Sequence, residues 1–206
     1  MPDSLAGLTL DTYLERLASA APAPGGGAVA ALTGAQAAAL LAMVVRIGGE
    51  PHVRDAQLLG HLDRLRGRFL ALADEDATAF SAVIAAYQLP KGTEEEKAAR
   101  LARIQGALKG AAEVPLETVA RLSELFTFAE DVVAGAKPTV ASDAGIALEL
   151  MGAGLKAARY NVDINLKYIR DAHYCQETAE RLATLLEGKK VWRKRLRDQV
   201  REILSQ

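Results

Sequence analysis

"DAQLLGHLDRLRGRFLALADEDATAF", residues 55–80, carries the clearest periodicity in the chain. Leu58, Leu62, Leu65, Phe69 and Leu72 recur at alternating steps of four and three, the spacing that puts apolar side chains on one face of an α-helix. The stripe predicts a helix from about Arg54 to Tyr87, roughly 50 Å long at 1.5 Å per residue. One position breaks it: Asp76 falls where the next apolar residue is due, and Phe80 follows one turn later. A carboxylate on an apolar face needs partners or a raised pKa, so Asp76 is a candidate functional group. The alternative is a drift of register that leaves it at a solvated edge, with Asp74 and Glu75 on the surface.

Upstream lies "APAPGGGAVAALTGAQAAALLAMVV", residues 21–45. Two prolines and the glycines Gly25, Gly26 and Gly27 interrupt regular structure, and a nearly uncharged run follows to about Ile47. The run is long enough to suggest a membrane span. It is, however, rich in Ala and Gly, contains Thr33 and Gln36, and ends at Arg46. A helix buried on most sides within a bundle fits it better. "GGEPH" then breaks the chain.

Downstream, "LPKGT" ends the long helix, and Thr93 with Glu96 forms the pattern of a capping box. The helix it opens carries Leu101, Ile104, Leu108 and Ala111 and is expected to kink or stop near Pro115. Apolar spacing resumes through Leu116, Val119, Leu122 and Phe126 before "AGAKPTVAS". Further helices are expected over about 140–154, 155–187 and 189–205, and a short stripe of Leu10, Leu14 and Leu17 opens the chain. Alternating β-branched runs and Asn-Gly or Asp-Gly hairpin turns do not occur. The expected fold is all-α: one domain over residues 1–206, a single bundle of long antiparallel helices.

Half of the 206 residues are apolar but only 5% are aromatic, so the core is built from Ala, Leu and Val. A net charge of −1 gives no bulk attraction to nucleic acid or membrane. The lone Cys175 permits no internal disulfide, and the N-terminus lacks a basic leader region; both suit the cytoplasm. His52, His61 and His173 have no ligand spacing, and neither HExxH nor CxxC occurs, so no metal site is expected. The glycines are not followed by Gly-Lys-Ser/Thr and do not form a phosphate loop. Residues 189–201 hold seven basic residues and one acidic residue. They read as a solvated helix with Trp192 packed inward, or alternatively as a surface for RNA or an acidic partner.

Three further polar groups stand out. Asp143, after Ser142, lies at the start of a helix, where it either caps the helix or joins a site. Asn161 and Asn165, four apart, project from one helix face and can either bind a ligand or bridge two helices.

Taken together these motifs resemble the cyclodeaminase/cyclohydrolase family, which includes the cyclodeaminase domain of formiminotransferase-cyclodeaminase and stand-alone methenyltetrahydrofolate cyclohydrolases. The resemblance runs in order through "PAPGGGAVAALTGAQAAALLAMV", "DEDATAF", "LPKGTEEEKAAR", "VPLET", "SDAGIALEL" and "NVDINLKYI", from about residue 10 to 190. It implies an all-α homodimer acting on folate-bound one-carbon units without a metal or redox cofactor. It implies Asp76 and Asp143 as catalytic carboxylates, and Gly25, Gly26, Gly27, Lys91, Ser142, Asn161 and Asn165 as substrate contacts.

The chain departs from the family pattern in two places. Ala28 stands where Ser is frequent, and after Met43 the chain reads Val45 to Pro51 in place of a Thr-x-Gly-Lys/Arg turn. The second departure motivates an alternative: a member that binds folate, or serves as a scaffold, without turnover. The long Ala- and Gly-rich helices also have broad flat faces that suit a second copy. The glycine-led helix or the 54–88 helix is expected at that interface.

Overall fold

The computed structural model describes residues 4–48 and 53–205, which form seven α-helices and two short 3-10 turns, Leu5–Gly7 and Pro138–Val140. Four long helices make the bundle: α2 (Gly26–Ile47), α3 (Val53–Tyr87), α4 (Glu94–Ala134) and α5 (Ala141–Tyr168). Before them comes α1 (Leu10–Ala18), and after them α6 (Ala172–Leu186) and α7 (Lys189–Leu204). The helix α2 packs on α3 and α5, α4 packs on the same two, and α7 covers α5 and α4. Successive long helices run antiparallel, up-down-up-down.

Small residues set the spacing. The helix α2 buries Ala28, Ala30, Ala31, Ala35, Ala37 and Ala38 with Leu41 and Val44, so neighbouring backbones approach closely. Although α2 is long and apolar enough to cross a membrane, its packing against α3 and α5 accounts for that composition. Two of its glycines are notches for α3. A Cβ on Gly34 would stand 2.7 Å from the Phe69 ring, and one on Gly27 would stand 1.9 Å from Asp76 Oδ1. The notches are seven residues apart on α2, and so are the groups that fill them on α3; two turns of each helix therefore lock the antiparallel register. The stripe Leu58, Leu62, Leu65, Phe69 and Leu72 is buried as expected, each residue 8% exposed or less.

Two helix boundaries differ from the sequence reading. The helix α4 continues through the buried Pro115 for 41 residues. Proline at 115 cannot donate to the Ala111 carbonyl one turn back; the Asn165 side-chain amide on α5 donates to it instead, at 3.2 Å. The break expected between residues 154 and 155 lies instead at residues 169–171, between α5 and α6. Gly152 and Gly154 are notches within α5, where added Cβ atoms would meet Arg193 Nη1 at 2.2 Å and Leu122 Cδ1 at 3.0 Å.

At the chain start, Ser4 Oγ and the Leu5 N–H donate to the two carboxylate oxygens of Asp74 at 2.6 and 2.7 Å. Asp74 is thus an anchor for the N-terminal segment, not a free surface charge. Among the described residues the stripe of α1 is only partly covered: Leu10 and Leu14 are exposed, Leu17 is half-buried, and α1 has no fully buried residue.

Candidate functional site

The N-terminus of α2 opens into a cavity of about 330 Å³ walled by α2, α3, α4 and α5. It brings together Gly25, Gly26, Gly27, Asp76, Asn161 and Asn165, six residues singled out from the sequence. Its remaining walls are apolar and aromatic, with Phe80, Val83, Ile84 and Tyr87 from α3, Leu108 from α4, and Ile164 and Tyr168 from α5.

Asp76 is held at the start of α2. Its Oδ2 accepts the Ala28 N–H at 3.0 Å, so a carboxylate from α3 caps the third residue of α2. Gly25, the N-cap, supplies no side-chain bond of its own. Any side chain at Gly27 would occupy the carboxylate's place, so glycine is required there for contact, not for backbone conformation. Burial pushes the Asp76 pKa up, and the Ala28 N–H bond opposes part of that rise. The N–H groups of Gly26 and Gly27 lie in the first helical turn and have no intrahelical acceptor. They offer donors and a partial positive charge at the cavity edge.

The two asparagines are oriented by backbone carbonyls. Asn161 Nδ2 donates to Ala157 O at 2.9 Å. Asn165 Nδ2 donates to Asn161 O at 2.8 Å and to Ala111 O at 3.2 Å. Both Asn165 N–H donors are therefore spent inside the bundle, Asn161 keeps one of its two, and each Oδ1 remains as an acceptor. Pro115 takes part indirectly, since it frees the Ala111 carbonyl that fixes Asn165.

Three expected site residues lie elsewhere. Ser142 and Asp143 are in the first turn of α5, 18 residues before Asn161, which is about 27 Å along the helix axis. Asp143 is half-buried and caps nothing, and Ser142 lines a surface groove toward α7. Lys91 is exposed in the α3–α4 connection, four residues beyond Tyr87, and does not line the cavity. Ala28 is fully buried. Of the unusual turn after Met43, residues 49–52 lie outside the described residues.

Sequence reading missed the aromatic mouth. Phe80, Tyr87 and Tyr168 are each more than 40% exposed and belong to a set of only ten aromatic residues, four Phe, one Trp and five Tyr. Their scarcity was the available signal. Among the described residues, no three His, Cys, Asp or Glu side chains converge as a metal site.

The chain is similar in sequence and in fold to known proteins. The chain is 42% identical over 184 residues to methenyltetrahydrofolate cyclohydrolase of Methylorubrum extorquens, covering 86% of this chain and 88% of that one. It is 31% identical over 198 residues to formimidoyltransferase-cyclodeaminase of Rattus norvegicus, covering 91% of this chain and 36% of that longer protein. The crystal structure of formiminotetrahydrofolate cyclodeaminase from Thermotoga maritima matches with a TM-score of 0.80 at 28% identity, covering 98% of both chains. A family model described as Formiminotransferase-cyclodeaminase matches residues 9–184. With a carboxylate-capped glycine helix at its centre and this similarity along its length, the chain belongs to the formiminotransferase-cyclodeaminase family.

Proposed function

We propose that this chain is a single-domain, cytoplasmic folate one-carbon enzyme, acting as a methenyltetrahydrofolate cyclohydrolase. One observation carries the reading: the cavity holds a single carboxylate, Asp76, raised in pKa by burial and facing aromatic walls. The substrate is a cation whose charge sits on the carbon bridging N5 and N10. A carboxylate beside that carbon stabilises it and takes the proton of an attacking water. Water adds to the bridging carbon and gives one proton to Asp76; the C–N5 bond then breaks, N5 keeps its electron pair and takes up the adduct's hydroxyl proton, and 10-formyltetrahydrofolate and the one proton from Asp76 leave. Tyr87, Tyr168 and Phe80 offer ring faces to the pterin. Asn161 and Asn165 accept from its N–H groups, and the Gly26 and Gly27 amides face a carbonyl or carboxylate. The scheme uses no metal or redox cofactor.

The cyclodeaminase reaction is the second reading, favoured by the similarity to the Thermotoga maritima structure. There N10 attacks the formimino carbon, ammonia leaves, and the same carboxylate faces the methenyl cation as it forms. Purified protein mixed separately with methenyltetrahydrofolate and formiminotetrahydrofolate, followed by absorbance, distinguishes the two. Loss of methenyl absorbance with the first is the expected outcome. No change with either folate, despite binding, assigns the chain to the non-catalytic alternative.

A homodimer is part of this proposal. The exposed Leu10 and Leu14 of α1, with Phe80, Tyr87, Tyr160 and Ile164, give a second copy apolar surface to cover. Light scattering is expected to report about twice the chain mass of 21.9 kDa. Asp143, Ser142 and Lys91 enter the reaction on this reading only from a partner copy. Mixing Asp76→Asn with Asp143→Asn subunits tests that, because restored turnover requires one intact site built from both. Nucleic acid is not an expected partner: Arg193, Lys194, Arg195, Arg197 and Arg201 of α7 are all in ion pairs with neighbouring carboxylates.

A further inference from the structure

A second cavity, of about 370 Å³, lies between the start of α7, the end of α6 and the middle of α5. Its floor is apolar, made of Phe126, Leu155 and Leu186 with the bare backbone of Gly152. Its rim carries five cations: Lys156 and Arg159 from α5, and Lys189, Lys190 and Arg193 from α7. Carboxylates balance two of them, Arg159 through Asp163 at 3.3 Å and Arg193 through Glu149 at 3.1 Å. Lys189 stands over the Trp192 ring, 5.0 Å from its centroid. Among the described residues, Lys156 and Lys190 have no ion-pair partner.

Three positive charges without a carboxylate partner, Lys156, Lys189 and Lys190, therefore line one cavity rim, and an anion placed there meets them together. The backbone adds to it, since α7 starts at Gly188 with no side-chain cap, leaving first-turn N–H groups and the positive end of the helix at the rim. Gly152 is part of the construction. The Arg193 guanidinium lies where a Cβ at 152 would be, 2.2 Å from its Nη1, and this sinks the arginine into the wall. The volume falls in the range of small-molecule sites and exceeds the needs of an inorganic ion.

We propose that this cavity binds a phosphate ester carrying about three negative charges on an apolar or aromatic body, the chemistry of a nucleoside diphosphate. The body rests on Leu186 and the edge of Leu155, backed by the buried Phe126. The phosphates meet Lys156, Lys190, Arg193 and the α7 amides. The site lies on the opposite face of α5 from Asn161 and Asn165 and does not depend on the folate reading.

Trp192, the one tryptophan of the chain, reports on it directly, with its ring 6.0 Å from Phe126 and under Lys189. Full-length protein is titrated with ADP and, separately, with inorganic pyrophosphate in low salt, and Trp192 emission is followed. Saturable change with ADP, at least tenfold tighter than pyrophosphate, is expected. The double variant Lys156→Glu/Lys190→Glu is expected to raise the ADP Kd at least tenfold with an unchanged circular-dichroism spectrum. Lys137→Glu, an exposed charge change elsewhere, is expected to leave it unaltered. Should the double variant lose its helical spectrum, the single Lys190→Glu variant, expected to raise the Kd severalfold, replaces it. Equal affinity for ADP and pyrophosphate, an ADP Kd indifferent to the lysine changes, or no saturable response to either probe would overturn the proposal.

Discussion

Two helices of this protein, α2 and α7, begin at a glycine that offers no side-chain cap, and both beginnings open into a cavity. At α2 the neighbouring helix supplies a carboxylate, and Asp76 takes the Ala28 N–H. At α7 the neighbouring helix supplies Lys156 and Arg159. The same backbone feature thus sits in fields of opposite sign. A helix N-terminus by itself favours anions. Side chains from the adjacent helix decide whether that preference is reversed, as at α2, or reinforced, as at α7. Helix α5 separates the two, with Asn161, Ile164, Asn165 and Tyr168 on one face and Gly152, Leu155, Lys156 and Arg159 on the other.

The sharpest way to break this contrast is to neutralise Asp76. Asp76→Asn keeps an acceptor for the Ala28 N–H but removes the base and the charge. Turnover is expected to fall by about 100-fold or more, the range for loss of a general base, while the ADP titration stays unchanged. The pH behaviour follows from burial. Because the folded pKa of Asp76 is raised, turnover is expected to climb with pH through that raised value as the carboxylate ionises. Its contribution to stability runs the other way: it is complete below the unfolded pKa and is lost as pH rises through the folded one. The melting temperature of Asp76→Asn relative to wild type is therefore expected to increase from acid to neutral pH.

Gly27→Ala comes next. Its methyl group displaces the carboxylate without removing it, and a loss of about tenfold to 100-fold in turnover is expected from misplacement alone. Kinetics beside thermal melting separate that loss from unfolding. Pro115→Ala gives a smaller effect. Residue 115 then donates to the Ala111 carbonyl and competes with the Asn165 amide. KM is expected to rise roughly fivefold, the worth of a hydrogen bond of about 1 kcal/mol, with kcat and melting temperature not reduced. The smallest change concerns the other cavity. Gly152→Ala moves the end of the Arg193 side chain and is expected to weaken ADP about threefold, the worth of a modest ion pair, while folate turnover holds.

The fold was legible wherever burial follows a helical period. The stripe from Leu58 to Leu72 and the capping box at Thr93 and Glu96 appear as read, with both halves of the box formed. Local rules failed where a distant group compensates. Pro115 does not stop α4 because Asn165, 50 residues later, supplies the donor that proline removes from Ala111. Gly154 does not end α5 because Leu122 fills its notch. The structure gathers at one cavity the polar groups that the sequence set apart, Asp76 on an apolar stripe and Asn161 with Asn165 four apart beside one. Tyr87 and Tyr168 were not set apart, because an aromatic on an amphipathic helix looks the same whether it faces a core or a cavity mouth. Asp143 was placed correctly at a helix start, but no sequence period shows that the start lies a bundle's length from its own chain's cavity.

The paired notches of α2 and α3 bear on the turn after Met43, where a Thr-x-Gly-Lys/Arg turn is expected from the family resemblance and does not occur. Phe69 in Gly34 and Asp76 against Gly27 act as two teeth of a key, so the hairpin finds its alignment from inside. The joining turn after Met43 then has no metering duty, and insertions or exchanges there leave the carboxylate where it stands. Evolution is free to rewrite that turn for new substrates or partners, while a single larger side chain at Gly34, far from any ligand, would throw the whole lock out of step.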